Sequence, residues 1–387
     1  GAIGAGKKGR VWATVRLKVN EFAAWCKHVG AKLVDESIDP EEILRGTLIP
    51  RLVDARPATV PVGVDWPVDL LDLVESATKI SFIHTVQEHL TNVSIEVRDF
   101  SSTGPIVLRV FSESREVQVR LNFIGHGNAA DFEFVYEGAA TATIHRGVDH
   151  DLCAYLTDHP PTIWFADGSK LEGNTHVELR TAAQLYARDR LEVLDWTGID
   201  ITKESQREER RTDSVQYRTI QHIKAENRHE IVFDDDGAGE AADIVAISLD
   251  SETQPRIITV DLYHCKYSGG AAPGARIDDM YVVCGQAQRS VMWLHNKERR
   301  TDLFAHLLKR DADREEGGRP TRFEVGTKDR LAQIRDLSRV CAVTLRVYIV
   351  QPGLSKTGAA DHQLALLGVT DRFLSETYQT PLKVYCG

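Results

Sequence analysis

The stretch from Asn227 to Ser268, NRHEIVFDDDGAGEAADIVAISLDSETQPRIITVDLYHCKYS, constrains the fold more than any other part of the chain. Three runs rich in isoleucine, valine, phenylalanine and tyrosine alternate with glycine, aspartate and proline, which is the composition of strands and of the turns between them. HEIVFDD, ADIVAISLD and RIITVDLYHCK are the predicted strands, and DGAGE and Ser251 to Pro255 are the breaks. Side chains two apart in a strand share a face. His264 and Lys266, near the end of the third strand, therefore project together, and Asp243 opens the second strand close by.

The helix pattern around this core predicts a sheet with helical layers. Thr202 to Asn227 reads as one long polar helix, with Val215, Ile220 and Ile223 as its apolar face. IDDMYVVCGQAQRSVMWLH reads as a helix with Met280, Val283, Ala287, Val291 and Leu294 inward, and Asp278 and Asp279 as capping residues at its start. A helix pair over Thr301 to Arg314, the apolar strand VTLRVYIVQPG, the helix HQLALLGVTDRFLSETY and the strand PLKVYC complete the order.

The first half has another rhythm. VSIEVRDF, PIVLRVF, EVQVRLNFIG, DFEFVYEG and ATATIHR alternate with period two and predict an antiparallel meander of five strands. Before it come a strand in VWATVRLKV, a helix in NEFAAWCKHVGAKL with Asn20 as N-cap, a helix from Pro40, a proline-rich loop over Pro50 to Pro67 and a short helix over Leu70 to Ala77. The start GAIGAGKKG matches G-x(4)-G-K at Gly1, Gly6 and Lys7, but Lys8 stands where a phosphate loop needs Ser or Thr, and no strand precedes it. His145, Asp149 and His150 read as surface residues of a strand-to-loop junction rather than a metal site. The border between domains is expected at Asp195 to Ile201, giving a β-rich unit over 1–195 for substrate or partner binding and an α/β unit over 196–387 for the chemistry and most of the affinity.

Composition excludes several classes. No apolar run approaches the roughly 20 residues of a membrane span, and the start carries no secretory pattern. Six scattered cysteines without a CxxC pair exclude a zinc ribbon and a disulfide framework, which points to a reducing cytoplasm. The net charge of −10 is uneven: residues 1–195 carry 20 Lys+Arg against 28 Asp+Glu, and residues 196–387 carry 27 against 29. The second half is therefore the place to expect a basic groove, with Lys203, Arg207, Arg210 and Arg211 on the polar helix and Arg276 and Arg289 after the strands.

The order helix, three strands, helix, strand, with Asp243 on one strand and His264-x-Lys266 on the next, resembles the PD-(D/E)XK nucleases of the restriction-endonuclease-like superfamily. The resemblance covers roughly residues 196–387. It implies an α/β mixed sheet flanked by helices, α+β overall with the β-rich part in front. It also implies cleavage of DNA phosphodiester bonds with Mg2+ or Mn2+. Asp243 matches the family's metal-binding aspartate and Lys266 its lysine, and the Cys265 carbonyl matches a backbone ligand. His264 departs from the pattern, since the family carries an acid there; imidazole suits manganese better than magnesium. The family also implies a glutamate on the preceding helix, Glu204 or its neighbour Glu208, and a glutamine on the following helix, Gln286 or Gln288. Glu240, three residues before Asp243, would reach the same ion.

The runs DWTGIDITKES, DSVQYRTIQHIK, LYHCKYSGG, DDMYVVCGQAQRS and IVQPGLS, with PPTIWFADGSKLEGN before them, also look like the C-terminal region of bacterial phage-defence DEAD/DEAH-type helicases. That resemblance implies a nuclease part whose motor lies elsewhere, and a helicase protein or domain as partner. The expected function is a metal-dependent DNA endonuclease. The alternative is a nuclease fold without catalysis that binds nucleic acid or a partner, and His264 is the residue that favours it.

Overall fold

In the computed structural model, residues 3–6, 10–13, 18–35, 37, 50–67, 70, 78–83, 86–178, 184–253, 256–290, 293 and 301–387 are described. The chain is a mixed α+β structure with several antiparallel sheets and seven helices among these residues.

A seven-stranded mixed sheet organises the second half. Its strands are β1 (Leu191–Val193), β2 (Ile231–Asp234), β3 (Ile244–Asp250), β4 (Ile257–Cys265), β5 (Phe323–Val325), β6 (Ala342–Gln351) and β7 (Leu382–Cys386). Their order is β1-β7-β6-β4-β3-β2-β5. The three predicted strands form an antiparallel meander, β2-β3-β4, and β4 and β6 then pair in parallel. β4 and β6, rich in apolar residues, are central strands buried on both faces over most of their length. Two apolar layers sandwich the sheet. One packs Ile220 and Ile223 of α1 (Val215–Glu226) against Tyr263, Tyr348 and Tyr385. The other packs Met280, Val283 and Ala287 of α2 (Asp278–Arg289) against Val347, Ile349 and Val384.

Several expectations give way here. The polar helix begins at Val215, not Thr202. Ser214 caps it by accepting from the Tyr217 N–H at 3.2 Å. Upstream, Gln206 is buried, its N–H donates to Gln216 at 2.7 Å and its amide donates to Asp234 at 2.9 Å. Those tertiary bonds hold residues 202–213 as turns. The predicted helix pair is one helix, α3 (Asp302–Glu316), and a further helix, α4 (Lys328–Leu337), follows the EEGGRP break. The last helix, α5 (Asp361–Tyr378), lies as read. β1 pairs with β7, so the sheet takes in residues placed before the expected domain border.

In the first half, four of the five predicted meander strands form one sheet, Ser94–Val97, Ile106–Phe111, Glu116–Ile124 and Asp131–Tyr136. The fifth, Thr143–Arg146, pairs with Lys79–Ile83 and Val148–Asp151 instead. The Tyr136 hydroxyl bridges the Ala142 N–H and carbonyl, and so turns the chain away from the first sheet. The proline-rich segment holds two strands, Pro50–Leu52 and Pro61–Asp65, in a five-stranded sheet. Ile3–Gly6 and Arg10–Ala13 form an antiparallel pair, and the first helix spans Val19–Leu33. The helix from Pro40, most of Leu70 to Ala77 and the ends at Val291 and Leu294 lie outside the described residues. So do Gly1, Lys7 and Lys8 of the glycine-rich start.

The two halves meet backbone to backbone at two glycines. A Cβ on Gly285 of α2 would sit 2.0 Å from the Val62 carbonyl oxygen, and one on Gly239 would sit 1.8 Å from the Thr91 carbonyl oxygen. Alanine normally stabilises a helix interior by about 0.5–1 kcal/mol over glycine. At Gly285 the sign should reverse. Gly285→Ala should lower stability by about 1–3 kcal/mol, as overpacking against immovable backbone does, read as a lower thermal midpoint. An unchanged or raised midpoint would show that the Pro61–Asp65 strand does not seat on α2.

Candidate metal centre

The turn between β2 and β3 and the ends of β3 and β4 build the site. In register, Ile244 faces Tyr263, so Asp243 arrives beside His264 and Cys265. Its Oδ2 accepts the Cys265 N–H at 2.9 Å, and only 2 % of the residue is exposed. Asp243 stands at the start of β3, as read, and its carboxylate is interior. Asp236, Glu240 and Asp243 converge, with their ligand atoms all within 4.8 Å of one another. Burial pushes the Asp243 carboxyl well above the usual carboxylate range, and the charges of Glu240 and Asp236 push further the same way. Glu240 is pushed up to about 8, first by burial and then by Asp236. Three carboxylates held together in this way favour protons or a cation.

Their neighbours orient them. Gln286 Nε2 donates to Glu240 Oε1 at 3.1 Å, and the Gly237 N–H donates to Glu240 Oε2 at 2.9 Å. Ser205 donates its hydroxyl to Asp236. Lys266 Nζ lies 2.8 Å from Glu204 Oε2, which also accepts the Tyr267 N–H at 3.1 Å. Burial is the strongest single influence on the Lys266 ammonium and would lower it; the charge and hydrogen bond of Glu204, with the charge of Asp243, together outweigh it and hold the ammonium above its usual value. Glu204 thus reaches Lys266 from a turn, not from the helix on which it was expected.

Beneath the turn lies a buried ionic frame. Arg310 of α3 pairs with Asp235 through Nε, and donates to the Asp235 and Ala238 carbonyls at 2.7 and 2.6 Å. Arg322 donates to the Asp234 and Asp236 carbonyls, both at 3.0 Å. Asp235 Oδ2 accepts the Ala241 N–H at 2.8 Å. The residues that carry Asp236 and Glu240 are therefore clamped from below.

A cleft of about 480 Å³ opens over these groups. Asp243, Lys266, Glu204, Gln286, Glu240 and Arg289 all line it, and the fold brings together these six residues singled out in the sequence. Others fall elsewhere. His264 is buried, its Nε2 faces the Ser290 hydroxyl, and burial pushes its pKa down to about 3, so it stays neutral. It is not one of the three converging ligands, which removes the reason to expect a manganese preference from imidazole. The Cys265 thiol turns to Thr219, and its backbone serves the site through the N–H that holds Asp243. Gln288 is buried and donates to Thr370 at 3.4 Å, and Glu208 faces Arg319 at 3.5 Å.

The expected phosphate-binding cations are mostly engaged already. Lys203 pairs with Asp213 and Asp200 at 2.6 and 3.2 Å, Arg211 with Asp213 at 2.9 Å, and Arg276 with Asp279 at 2.9 Å. Arg207 is exposed on a turn with φ 55°. None of the four lines the cleft. Asp236 is the converging carboxylate that the sequence did not single out. Its signal was the Asp234–Asp236 run at a strand end before a glycine turn. The far wall was also missed: Glu96, Arg98, Phe100, Arg109 and Phe111 come from the first half. Period-two alternation gave their faces but not what they face.

The donor set fits a hard divalent cation. It offers carboxylate oxygens at one point, as magnesium and manganese prefer. The Gln286 Oε1 atom, buried beside them, has no hydrogen-bond partner. No disulfide joins any of the six cysteines, and none of them belongs to the cluster. No helix among the described residues is long and apolar enough to cross a membrane. No protein-family model, no curated protein and no solved structure matches this chain.

Proposed function

We propose that this chain is a metal-dependent nuclease that cleaves phosphodiester bonds in DNA, built on a restriction-endonuclease-like sheet. The carrying observation is the convergence of Asp236, Glu240 and Asp243 within 4.8 Å in a cleft that also holds the Lys266–Glu204 pair. The helix α1, the meander β2-β3-β4, the helix α2 and the parallel strand β6 support the fold reading. The helicase connection rests on the sequence resemblance alone.

Asp236, Glu240 and Asp243 would hold Mg2+ or Mn2+, with Gln286 orienting Glu240. Bound there, such an ion would supply positive charge against the phosphate and an acidified water as nucleophile. Lys266 supplies a fixed positive charge for the oxygen on which negative charge grows, and Glu204 keeps its ammonium aimed. Arg289, on the opposite rim, offers a contact for a flanking phosphate. Burial around Asp243 excludes bulk water and strengthens each of these interactions.

The alternative, a binding module without catalysis, draws support from His264, which places no acid at the family's third position. Glu240 and Asp236 supply that missing carboxylate from the turn instead. The test is incubation of the whole chain with linear duplex and heat-denatured DNA, with Mg2+, Mn2+ or chelator. Products that appear only with metal are expected. Intact DNA in every lane, alongside retained binding, would move the reading to the binding module.

A further inference from the structure

The substrate class of this same site follows from its second wall, given the nuclease reading above. That wall belongs to the first half and is fixed in place. Besides the backbone contacts at Gly239 and Gly285, the Ser94 hydroxyl accepts the Gly239 N–H at 2.8 Å, and Asn92 donates to Asp313 at 3.1 Å. Arg289 donates to the Ile95 carbonyl at 3.4 Å across the cleft. Phe100 of the wall stacks on Tyr281 of α2, with ring centroids 5.8 Å apart, and so ties the two sides together. The metal-binding turn and the wall are thus one rigid unit, and the cleft does not widen without breaking backbone contacts.

The cleft of about 480 Å³ has the size of a small-molecule pocket. Recognition of an intact duplex engages on the order of 1,000–2,500 Å² of protein surface. The wall also has the chemistry that single strands use: aromatic rings for base stacking interleaved with guanidinium groups. Arg109, held by Glu116 at 2.7 Å, lies 4.0 Å over the ring of Phe111, and Arg98, which donates to Gln118 at 2.6 Å, lines the cleft with Phe100. We infer that the site takes a single DNA strand, or the unpaired end of a duplex, with a base stacked on the Phe100 and Phe111 wall and the phosphate turned to the acidic floor. The first half is then part of the substrate site, the first of the two roles, substrate or partner binding, expected for it.

Two measurements on the whole chain test this. Binding is read by fluorescence anisotropy in Ca2+, with a labelled 20-mer strand and the same sequence as a blunt duplex. Cleavage is read with Mn2+ on the strand, on a duplex with a long overhang and on a covalently closed relaxed circle. The strand should bind at least about tenfold more tightly than the duplex, and Phe100→Ala should weaken it by about tenfold, the scale of one lost stacking contact. The overhang should be cut and the closed circle left intact. Equal affinity for duplex, or a closed circle cut as fast as the strand, overturns the inference while leaving the nuclease reading intact. Strand-selective binding that Phe100→Ala abolishes, with no cleavage of any substrate, would sink the nuclease reading and keep the single-strand cleft. A Phe100→Ala protein with a wild-type thermal midpoint and wild-type strand affinity would remove the wall's role.

Discussion

Asp243→Asn should lower metal-dependent cleavage by at least ~10²–10³-fold, the scale of losing one preorganised charge-stabilising group, without harming the fold. The two parts of this expectation have one cause. In the native site the Asp243 carboxylate is buried and repelled by Glu240 and Asp236. A neutral amide relieves that repulsion, and its oxygen can still accept the Cys265 N–H that Asp243 accepts at 2.9 Å. Without metal, the variant should therefore melt at or above the wild-type midpoint. A ligand that binds only the native state raises stability by mass action, so added Mn2+ should raise the wild-type midpoint and leave that of the variant unmoved. Alanine would be a poorer test, because it leaves the buried Cys265 N–H without a partner. Wild-type turnover in Asp243→Asn would remove Asp243 from the metal centre.

Arg310→Leu should destabilise the protein by about 3–5 kcal/mol, the cost of leaving one member of a buried ion pair uncompensated. Arg310 and Asp235 are both buried, and the guanidinium also closes on the Asp235 and Ala238 carbonyls. A lysine there keeps the charge but loses the fork that reaches three acceptors at once. Arg310→Lys should therefore recover only part of the stability. The double variant Asp235→Leu/Arg310→Leu should be more stable than Arg310→Leu alone, because it removes the stranded charge. Both arginine variants that fold should bind Mn2+ more weakly, since the turn carrying Asp236 and Glu240 has lost its clamp. A midpoint within about 1 kcal/mol of wild type for Arg310→Leu would mean that the ionic frame is not structural, since single surface changes have effects of that size or less.

The strands of the seven-stranded sheet were legible because their evidence is local. The apolar runs of β3, β4 and β6 have little solvent face to interrupt them, and the glycine turn between β2 and β3 announces itself in the sequence. The same locality placed Asp243 beside Lys266, since two adjacent antiparallel strands with a known break fix the pairing within a residue or so. Glu204 and Gln286 entered through resemblance, and the tertiary structure put each beside its partner by a route that the sequence did not contain. Glu204 lies on a turn, because long-range bonds from Gln206 to Asp234 and Gln216 outweigh the modest helix propensity of a polar segment. His264 shows the limit of alternation. Period two placed it on the face of Lys266, but only the packing of α2 decides that its ring meets Ser290 and not an ion. Arg98, Phe100 and Phe111 mark the other limit. They lie more than 100 residues from the acidic turn in the sequence, and no local pattern reports that Gly239 and Gly285 let two backbones close to contact. That approach is what turns an acidic turn on a sheet into a cleft with two walls.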